Sequence, residues 1–336
     1  MGITIKEIAE KSGFGVGTVS RALREDPFLV KEETRKKILA VAKKYGYAKD
    51  VGAQALVTGK STDIGLMIPA MFGSYFYNDF YIKIISGIMD ALSESEYKLR
   101  VLFLREKSKF RDVMRESRSL KLGGLILSPY CQDFFIEEKD IKKLDVPVVV
   151  LGKEVVGKNI RSVVLDDFKG GYDGTSFLID LGHENIAVIR GFREDIEKRY
   201  KGYRKAMKDN GLKLNEDLIL KGDALEGSGF ERTRELIKKK KKPTAVFCLD
   251  DEMAYGALRA MREGGLECPR DMSVMGFDGM DIDNFTFPHL TTMARPVSYM
   301  AETAVRFLLD RDMWKRSSCI KVEAKVEERD SCRKIK

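Results

Sequence analysis

The chain has 336 residues, 33% of them charged and 43% hydrophobic, with a formal charge of +8. That length fits two or three domains, each with its own core, and no apolar run approaches the roughly 18 residues of a membrane helix. The opening MGITIKEIAEK is acidic where a signal peptide would be apolar, and Lys6 breaks a myristoylation pattern begun at Gly2, so a cytoplasmic protein is expected. Five cysteines (Cys131, Cys248, Cys268, Cys319, Cys332) form no CxxC pair, and the only histidines are His183 and His289. This argues against a disulfide scaffold or a zinc module, and no metal or cofactor is expected.

Charge is concentrated at the start. Residues 1 to 60 hold 12 Lys+Arg against 7 Asp+Glu, a net +5, which leaves +3 for the other 276 residues. A basic head on a nearly balanced body suggests a polyanion-binding module joined to something else.

In chain order, Thr4 to Glu7 (TIKE) fits a capping box, so a helix is predicted to start there and to stop after Ser12, where Gly13 supplies a positive φ. A second helix, about Val16 to Leu23, would bury Val19 and Leu23 and leave Val16, Gly17, Thr18, Ser20 and Arg21 for another surface. A third, about Glu32 to Tyr45, sets Ile38, Val41, Ala42 and Tyr45 on one face, with Gly46 closing it. Two short helices joined by a Gly-containing turn, followed by a longer brace, describe a helix-turn-helix unit. Such a unit lays its second helix in the DNA major groove. Val16 suits a thymine methyl, Gly17 permits close approach, Arg21 suits a guanine or a phosphate, and Thr18 and Ser20 suit phosphate oxygens. The run GFGVG at Gly13 to Gly17 lacks the third glycine of a dinucleotide fingerprint and follows a helix, and Gly59-Lys60-Ser61 lacks the first glycine of a phosphate-binding loop because position 54 is Gln54. A protein-binding three-helix bundle is the blander alternative for the head.

From Ile64 the pattern becomes α/β. Runs at Ile64 to Ile68, Leu99 to Leu104, Gly124 to Leu127, Val146 to Leu151, Ile186 to Ile189, Ala245 to Leu249 and Ser273 to Phe277 read as buried parallel strands. They are separated by amphipathic stretches such as Ile82 to Leu92 and Tyr200 to Asn210. About 270 residues exceed one core, so two open parallel sheets are expected, with the crossover near Gly152 to Arg161 and a return near Thr291 to Arg295. Open sheets bind ligands beyond the carboxyl ends of their strands, where Ser128, Asp250, Asp251 and Asp278 fall. Arg199 near a helix start would add a fork of donors, and an Arg facing carboxylates suits a polyhydroxylated ligand such as a sugar. Each Asp has a plainer reading as a helix N-cap, and Asp251, just before Glu252 to Arg262, is the expected cap. His183 reads as a turn residue, the lysines from Lys238 to Lys242 as a solvated helix end closed by Pro243, and Trp314 and the basic tail from Lys321 carry no assigned chemistry.

TIKEIAEKSGFGVGTVSRAL, ETRKKILAVAKKYGY and the later AQAL together resemble the DNA-binding head of the lactose-repressor (LacI/GalR) family of bacterial regulators. RYKGYRKAM, CLDDEMAYGALRAM, LGHENIAVIRG and SVMGFDGMD…PHLTTMARP resemble its effector domain, which is similar to periplasmic sugar-binding proteins. The resemblance implies a head over residues 1–48, a hinge helix over 49–61 with Asp50 as N-cap and Leu56 as a minor-groove wedge, and a two-lobed effector and dimerisation domain over 62–336. It implies DNA contacts from Thr4, Val16, Gly17, Thr18, Ser20, Arg21 and Leu56, and effector contacts from Arg199, Asp250 and Asp278, with Ser128 added from its strand end. Gly15, Arg24, Lys31 and Lys49-Asp50 depart from the family pattern in the head, and Asp250 stands where Asn is usual. The expected function is therefore a homodimeric, sugar-responsive repressor on a pseudo-palindromic operator, neither an enzyme nor a membrane protein. Alternatives are control by a phosphorylated carrier protein or a nucleobase-type corepressor, a sugar-modifying enzyme with a DNA-binding head, and a secreted binding protein.

Overall fold

The computed structural model describes residues 3–23, 30–47, 62–70, 79–105, 115, 120–128, 138–280 and 285–335. Contacts divide the chain into two units, Met1–Thr62 and Asp63–Lys336. The expected hinge segment, with Leu56, lies outside the described residues.

The first unit contains three helices, α1 (Ile5–Ser12), α2 (Val16–Ala22) and α3 (Glu32–Lys44). The capping box forms as expected: the Glu7 N–H donates to Thr4 Oγ1 at 3.3 Å, and the Thr4 N–H donates to Glu7 Oε2 at 2.7 Å. Gly13 ends α1 at φ 73°, and Gly46 ends α3 at φ 63°. There the Gly46 and Tyr47 N–H groups fold back onto the Lys43 and Ala42 carbonyls. Ile8, Ala9, Val19, Ala22, Ile38 and Ala42 make the small core. Tyr45 departs from the expected apolar face. It is 43% exposed, with the Lys11 and Lys44 ammonium groups 4.6 and 5.5 Å from its ring, so its amphipathic body serves as a cation platform. Leu23 is only half-buried.

The second unit is two six-stranded sheets. The first joins β1 (Asp63–Ala70), β2 (Lys98–Arg105), β3 (Gly124–Leu127), β4 (Val148–Leu151), β5 (Ile160–Leu165) and β11 (Cys319–Val322) in the order β11-β5-β4-β3-β1-β2, all parallel. The second joins β6 (Ile186–Arg190), β7 (Ile219–Lys221), β8 (Ala245–Cys248), β9 (Ser273–Asp278), β10 (Thr291–Ala294) and β12 (Lys325–Glu327) in the order β12-β10-β9-β8-β6-β7, with only β12 antiparallel. Strands such as GLIL and VVVL are buried on every residue because helices cover both faces. Those helices are α4 (Asp79–Leu92), α5 (Glu138–Ile141), α6 (Asp167–Asp180), α7 (Glu194–Asp209), α8 (Glu226–Ile237), α9 (Asp251–Glu263), α10 (Val297–Leu309) and α11 (Arg311–Arg316).

The crossover is not at Gly152 to Arg161. That stretch is the turn between β4 and β5 and the start of β5, and the chain leaves the first sheet only after Leu165. The polar residues that hide this strand are internally satisfied. Ser162 Oγ bonds both the N–H and the carbonyl of Val155, and the Arg161 guanidinium lies 4.3 Å from the Trp314 ring and donates to the Trp314 carbonyl. Thr291 to Ala294 is itself a strand of the second sheet, so the return crossing is Arg295-Pro296. A third crossing at Glu323-Ala324 links β11 to β12.

Candidate functional sites: a head surface and a charged cleft floor

In the head, Val16 is 47% exposed, Gly17 and Arg21 are exposed, and Thr18 and Ser20 are half-buried, so α2 turns Val19 and Ala22 inward and presents the other face outward. Arg21 Nε donates to the Gly17 carbonyl at 3.1 Å, which holds the guanidinium along that face. Thr4 is exposed, but its hydroxyl donates to Glu7 Oε2 at 2.8 Å and serves the helix cap first.

In the second unit, three of the four expected effector residues meet at the carboxyl ends of the second sheet's strands. Arg199 on α7 is fully buried, and every guanidinium nitrogen has an acceptor. Nε donates to Asp167 Oδ1 at 2.9 Å, Nη1 to the Leu249 carbonyl at 2.8 Å and Nη2 to Asp195 Oδ2 at 3.3 Å. Asp278 Oδ1 is 3.2 Å from Nη1, and the guanidinium lies 3.8 Å from the Phe277 ring. Asp278 also meets Arg295 Nε at 2.9 Å, as an ion pair rather than an aligned hydrogen bond. Its backbone sits at φ 134°, a strained conformation for a residue with a side chain. Ser128 is buried at the end of β3, and among the described residues its hydroxyl has no hydrogen-bond partner.

Two expectations change. Asp250, not Asp251, is the N-cap of α9: its extended backbone lets Oδ1 accept the Glu252 N–H at 3.1 Å. Asp251 turns inward, where it accepts from the Gly279 and Met280 N–H groups at 2.8 and 3.2 Å and from the Thr292 hydroxyl at 2.7 Å. Asp250 therefore caps a helix and faces the cluster at once. Its cationic neighbour is Arg193, whose Nη2 is 3.4 Å away, rather than Arg199.

Sequence reasoning missed Asp167, Arg193, Asp195 and Arg295. Arg193 and Asp195 follow β6 in GFRED, the same strand-end position that singled out Asp250 and Asp278, so that signal was present. With these, the floor holds three guanidiniums and four carboxylates among the described residues. Burial would raise the Asp195 carboxyl, but Arg199 and Arg193 overcome it and hold it well below the usual carboxylate range. Burial raises Asp167 despite Arg199, and burial with the charge of Asp278 pushes Asp250 up to about 7 against the pull of Arg193, Arg199 and Arg295. Among the described residues, the first lobe reaches this floor where Lys83 Nζ donates to the Gly279 carbonyl at 2.9 Å and where Phe80 lies 5.0 Å from the Arg295 guanidinium.

The two histidines have partners of their own outside this floor. His183 is buried, with Nδ1 3.0 Å from the Thr244 hydroxyl and Nε2 3.1 Å from the Arg333 carbonyl, and burial lowers its pKa. His289 pairs with Asp330 at 2.8 Å. Among the described residues no cluster of His, Cys, Asp or Glu is placed to hold a metal ion, and no helix is long and apolar enough to cross a membrane.

Comparison with known proteins converges on one family. Residues 4–50 match the model for bacterial regulatory proteins of the lacI family, and residues 175–332 match the periplasmic binding protein-like domain. Catabolite control protein A of Priestia megaterium is 31% identical, over 98% of this chain and 99% of its own length. The crystal structure of the lac repressor dimer bound to operator and the anti-inducer ONPF shares the fold at a TM-score of 0.77 and 23% identity, over 99% of this chain and 100% of that one. The complex of the transcriptional regulator CelR with cellobiose aligns at a TM-score of 0.70 and 26% identity, over 98% of this chain and 99% of that one. A three-helix head, two parallel-sheet lobes and a relative matched over nearly its full length lead to one conclusion: the chain belongs to the LacI family of bacterial regulatory proteins.

Proposed function

We propose that the protein is an effector-controlled transcription repressor that binds a two-fold symmetric DNA site as a homodimer. In this reading α2 enters the major groove, with Val16, Gly17 and Arg21 at base edges or the flanking backbone and Thr4, Thr18 and Ser20 toward phosphates. Leu56 acts from the hinge, and Ser128, Arg199, Asp250 and Asp278 belong to the effector cleft. The functional division is 1–48, 49–61 and 62–336, a reading supported by the separation of contacts at Thr62. The observation that carries the proposal is the pairing, in one chain, of an exposed recognition-helix face with a buried charged floor at the strand ends of a two-lobed body. Dimerisation is supported by the large apolar side chains left exposed on the body, including Ile82, Met89, Phe285 and Phe287, and by the dimeric state of the lac repressor complex.

The test is selection of binding sites from a random duplex pool by the full-length protein, followed by titration of the selected site with and without candidate ligands. A pseudo-palindromic site, weakened or strengthened by a small ligand, is the expected result. Binding to all duplexes alike would refute the repressor reading, and a response to a phosphorylated protein alone would refute the small-ligand part.

A further inference from the structure

Helix α7 carries a second charged surface, along the flank where it meets α6. A groove of about 620 Å³ there, a volume typical of small-ligand sites, is walled by Phe168 near the start of α6 and by Leu212 and Leu214 beyond the end of α7. Lys201, Arg204, Lys205 and Lys208 run between them, on one face of α7 over about 10 Å. The groove shares no lining residue with the cleft floor, and no carboxylate lines it. Lys205 is held by Asp209, whose oxygens lie 2.5 and 2.6 Å from its ammonium. Lys201, Arg204 and Lys208 pair with no carboxylate among the described residues. The helix dipole accounts for Lys208 in the last turn, but not for Lys201 and Arg204 in the middle of the helix. Phe168 is 42% exposed, and its ring pairs with no other ring or cation among the described residues.

We propose that this groove binds a nucleoside polyphosphate, whose base stacks on Phe168 and whose phosphates lie along Lys201, Arg204 and Lys208. Cations crowded on one helix face repel one another, and a chain of phosphates turns that repulsion into attraction by meeting several of them at once. Lysine supplies a point charge to a phosphate and arginine a fork of donors. An exposed phenyl ring offers a flat face to any base, so the site selects for a base without reading which one it is. Inorganic polyphosphate or an acidic peptide would satisfy the cations and leave the ring unused. The position of the groove gives binding a structural consequence. Phe168 directly follows Asp167, and Lys201 lies two residues beyond Arg199, its ion-pair partner. The backbones meet there as well, since a Cβ at Gly202 would lie 2.1 Å from the Phe168 carbonyl. A ligand that bridges Phe168 and Lys201 therefore clamps the two helices that hold the central ion pair of the floor. The site is an input separate from the cleft, and its existence does not depend on the repressor reading.

The experiment is calorimetric titration of the full-length protein with ATP, GTP, AMP, inorganic tripolyphosphate and a glutamate-rich peptide. The expected result is that ATP or GTP binds about tenfold or more tightly than AMP, which lacks the phosphate chain. The same nucleotide should bind about fivefold or more tightly than tripolyphosphate or the peptide, which lack the base. Phe168→Ala should lower the affinity for the nucleotide to that for tripolyphosphate and leave tripolyphosphate binding as it was, a split that a merely structural role would not produce. Lys201→Gln combined with Lys208→Gln should weaken nucleotide and tripolyphosphate together, by about tenfold. Lys239→Gln, at a lysine outside the groove, should change neither. Unliganded melting curves verify that each variant is folded. Tripolyphosphate or the peptide binding as tightly as the nucleotides overturns the stacked base, and AMP binding as tightly as ATP and GTP overturns the phosphate track. Nucleotide binding undiminished in both groove variants, or weakened equally by Lys239→Gln, overturns the location. Absence of binding by ATP and GTP overturns the proposal as a whole, while the repressor reading is judged separately by site selection on DNA.

Discussion

Asp250 is the residue where structure, charge and stability meet. An Asn at this position would cap α9 through its side-chain oxygen equally well, so the cap alone does not explain a carboxylate. The carboxylate is costly because burial and Asp278 push its pKa up to about 7, whereas the unfolded chain titrates near the ordinary value of about 3.9. Between those values the folded protein holds a proton that the unfolded chain has released. Stability from this group is thus fullest at the acid end, declines as pH rises through that window and levels off above 7. Asp250→Asn removes the titration. Its stability should match the wild type near pH 4 and exceed it by about 1–3 kcal/mol at pH 8, read as denaturant midpoints across the range. A constant difference at all pH values would mean that Asp250 does not titrate in this window. Arg193 keeps Asp195 as a partner in the variant, so the gain is not offset by stranding a guanidinium.

At the scale of elements, the floor depends on helices that touch backbone to backbone. A Cβ at Gly171 on α6 would lie 1.9 Å from the Arg199 carbonyl, and one at Gly202 on α7 would lie 2.1 Å from the Phe168 carbonyl. The α8 and α9 pair repeats the arrangement, with Gly229 against Met253 and Gly256 against Glu226. Gly171→Ala must push α7 away from α6 and carry Arg199 out of reach of Asp167. It should cost about 3 kcal/mol and abolish the effector response. Gly227→Ala, in open space on α8, should instead leave stability equal or raise it by roughly 0.5 kcal/mol. Thermal unfolding of both variants checks this, and a Gly171→Ala protein as stable as wild type would show that the helices have room to spare. These contacts lie outside what hydrophobic periodicity reveals, and the same limit explains the missed site residues. Helix α7 was expected from Tyr200 because its apolar rhythm is clear from there, yet it starts at Glu194 with a charged first turn. That turn and its N-cap carry Arg193 and Asp195. Strand β5 was missed for a related reason, since Arg161 and Ser162 find their partners only in the tertiary fold. All seven apolar runs read as strands form strands, and the head's capping box and closing glycines were legible because their signals are local in sequence.

Over the whole molecule, two units with different charge serve two ligands, and their coupling obeys a symmetry that can be measured. Most of the net charge lies in residues 1–60, so operator affinity should fall on the order of a thousandfold between 50 and 200 mM salt if six or more phosphates are neutralised. The floor pairs buried carboxylates with buried guanidiniums and is little screened at either salt concentration. If the effector acts by biasing the arrangement of the two lobes, the factor by which it changes operator affinity should stay constant across that salt range. Saturating operator should change effector affinity by the same factor, about 5- to 150-fold. Among the described residues, contacts placed to transmit the bias include Lys83 at the Gly279 carbonyl and Phe80 at Arg295. Fluorescence titrations of operator at several effector concentrations, and calorimetry of effector with and without operator, supply both factors. A coupling factor that collapses with added salt would mean that the ligand perturbs the charge of the DNA interface instead of shifting the lobes. A factor near one in both directions would mean that the bound small molecule is not an effector at all.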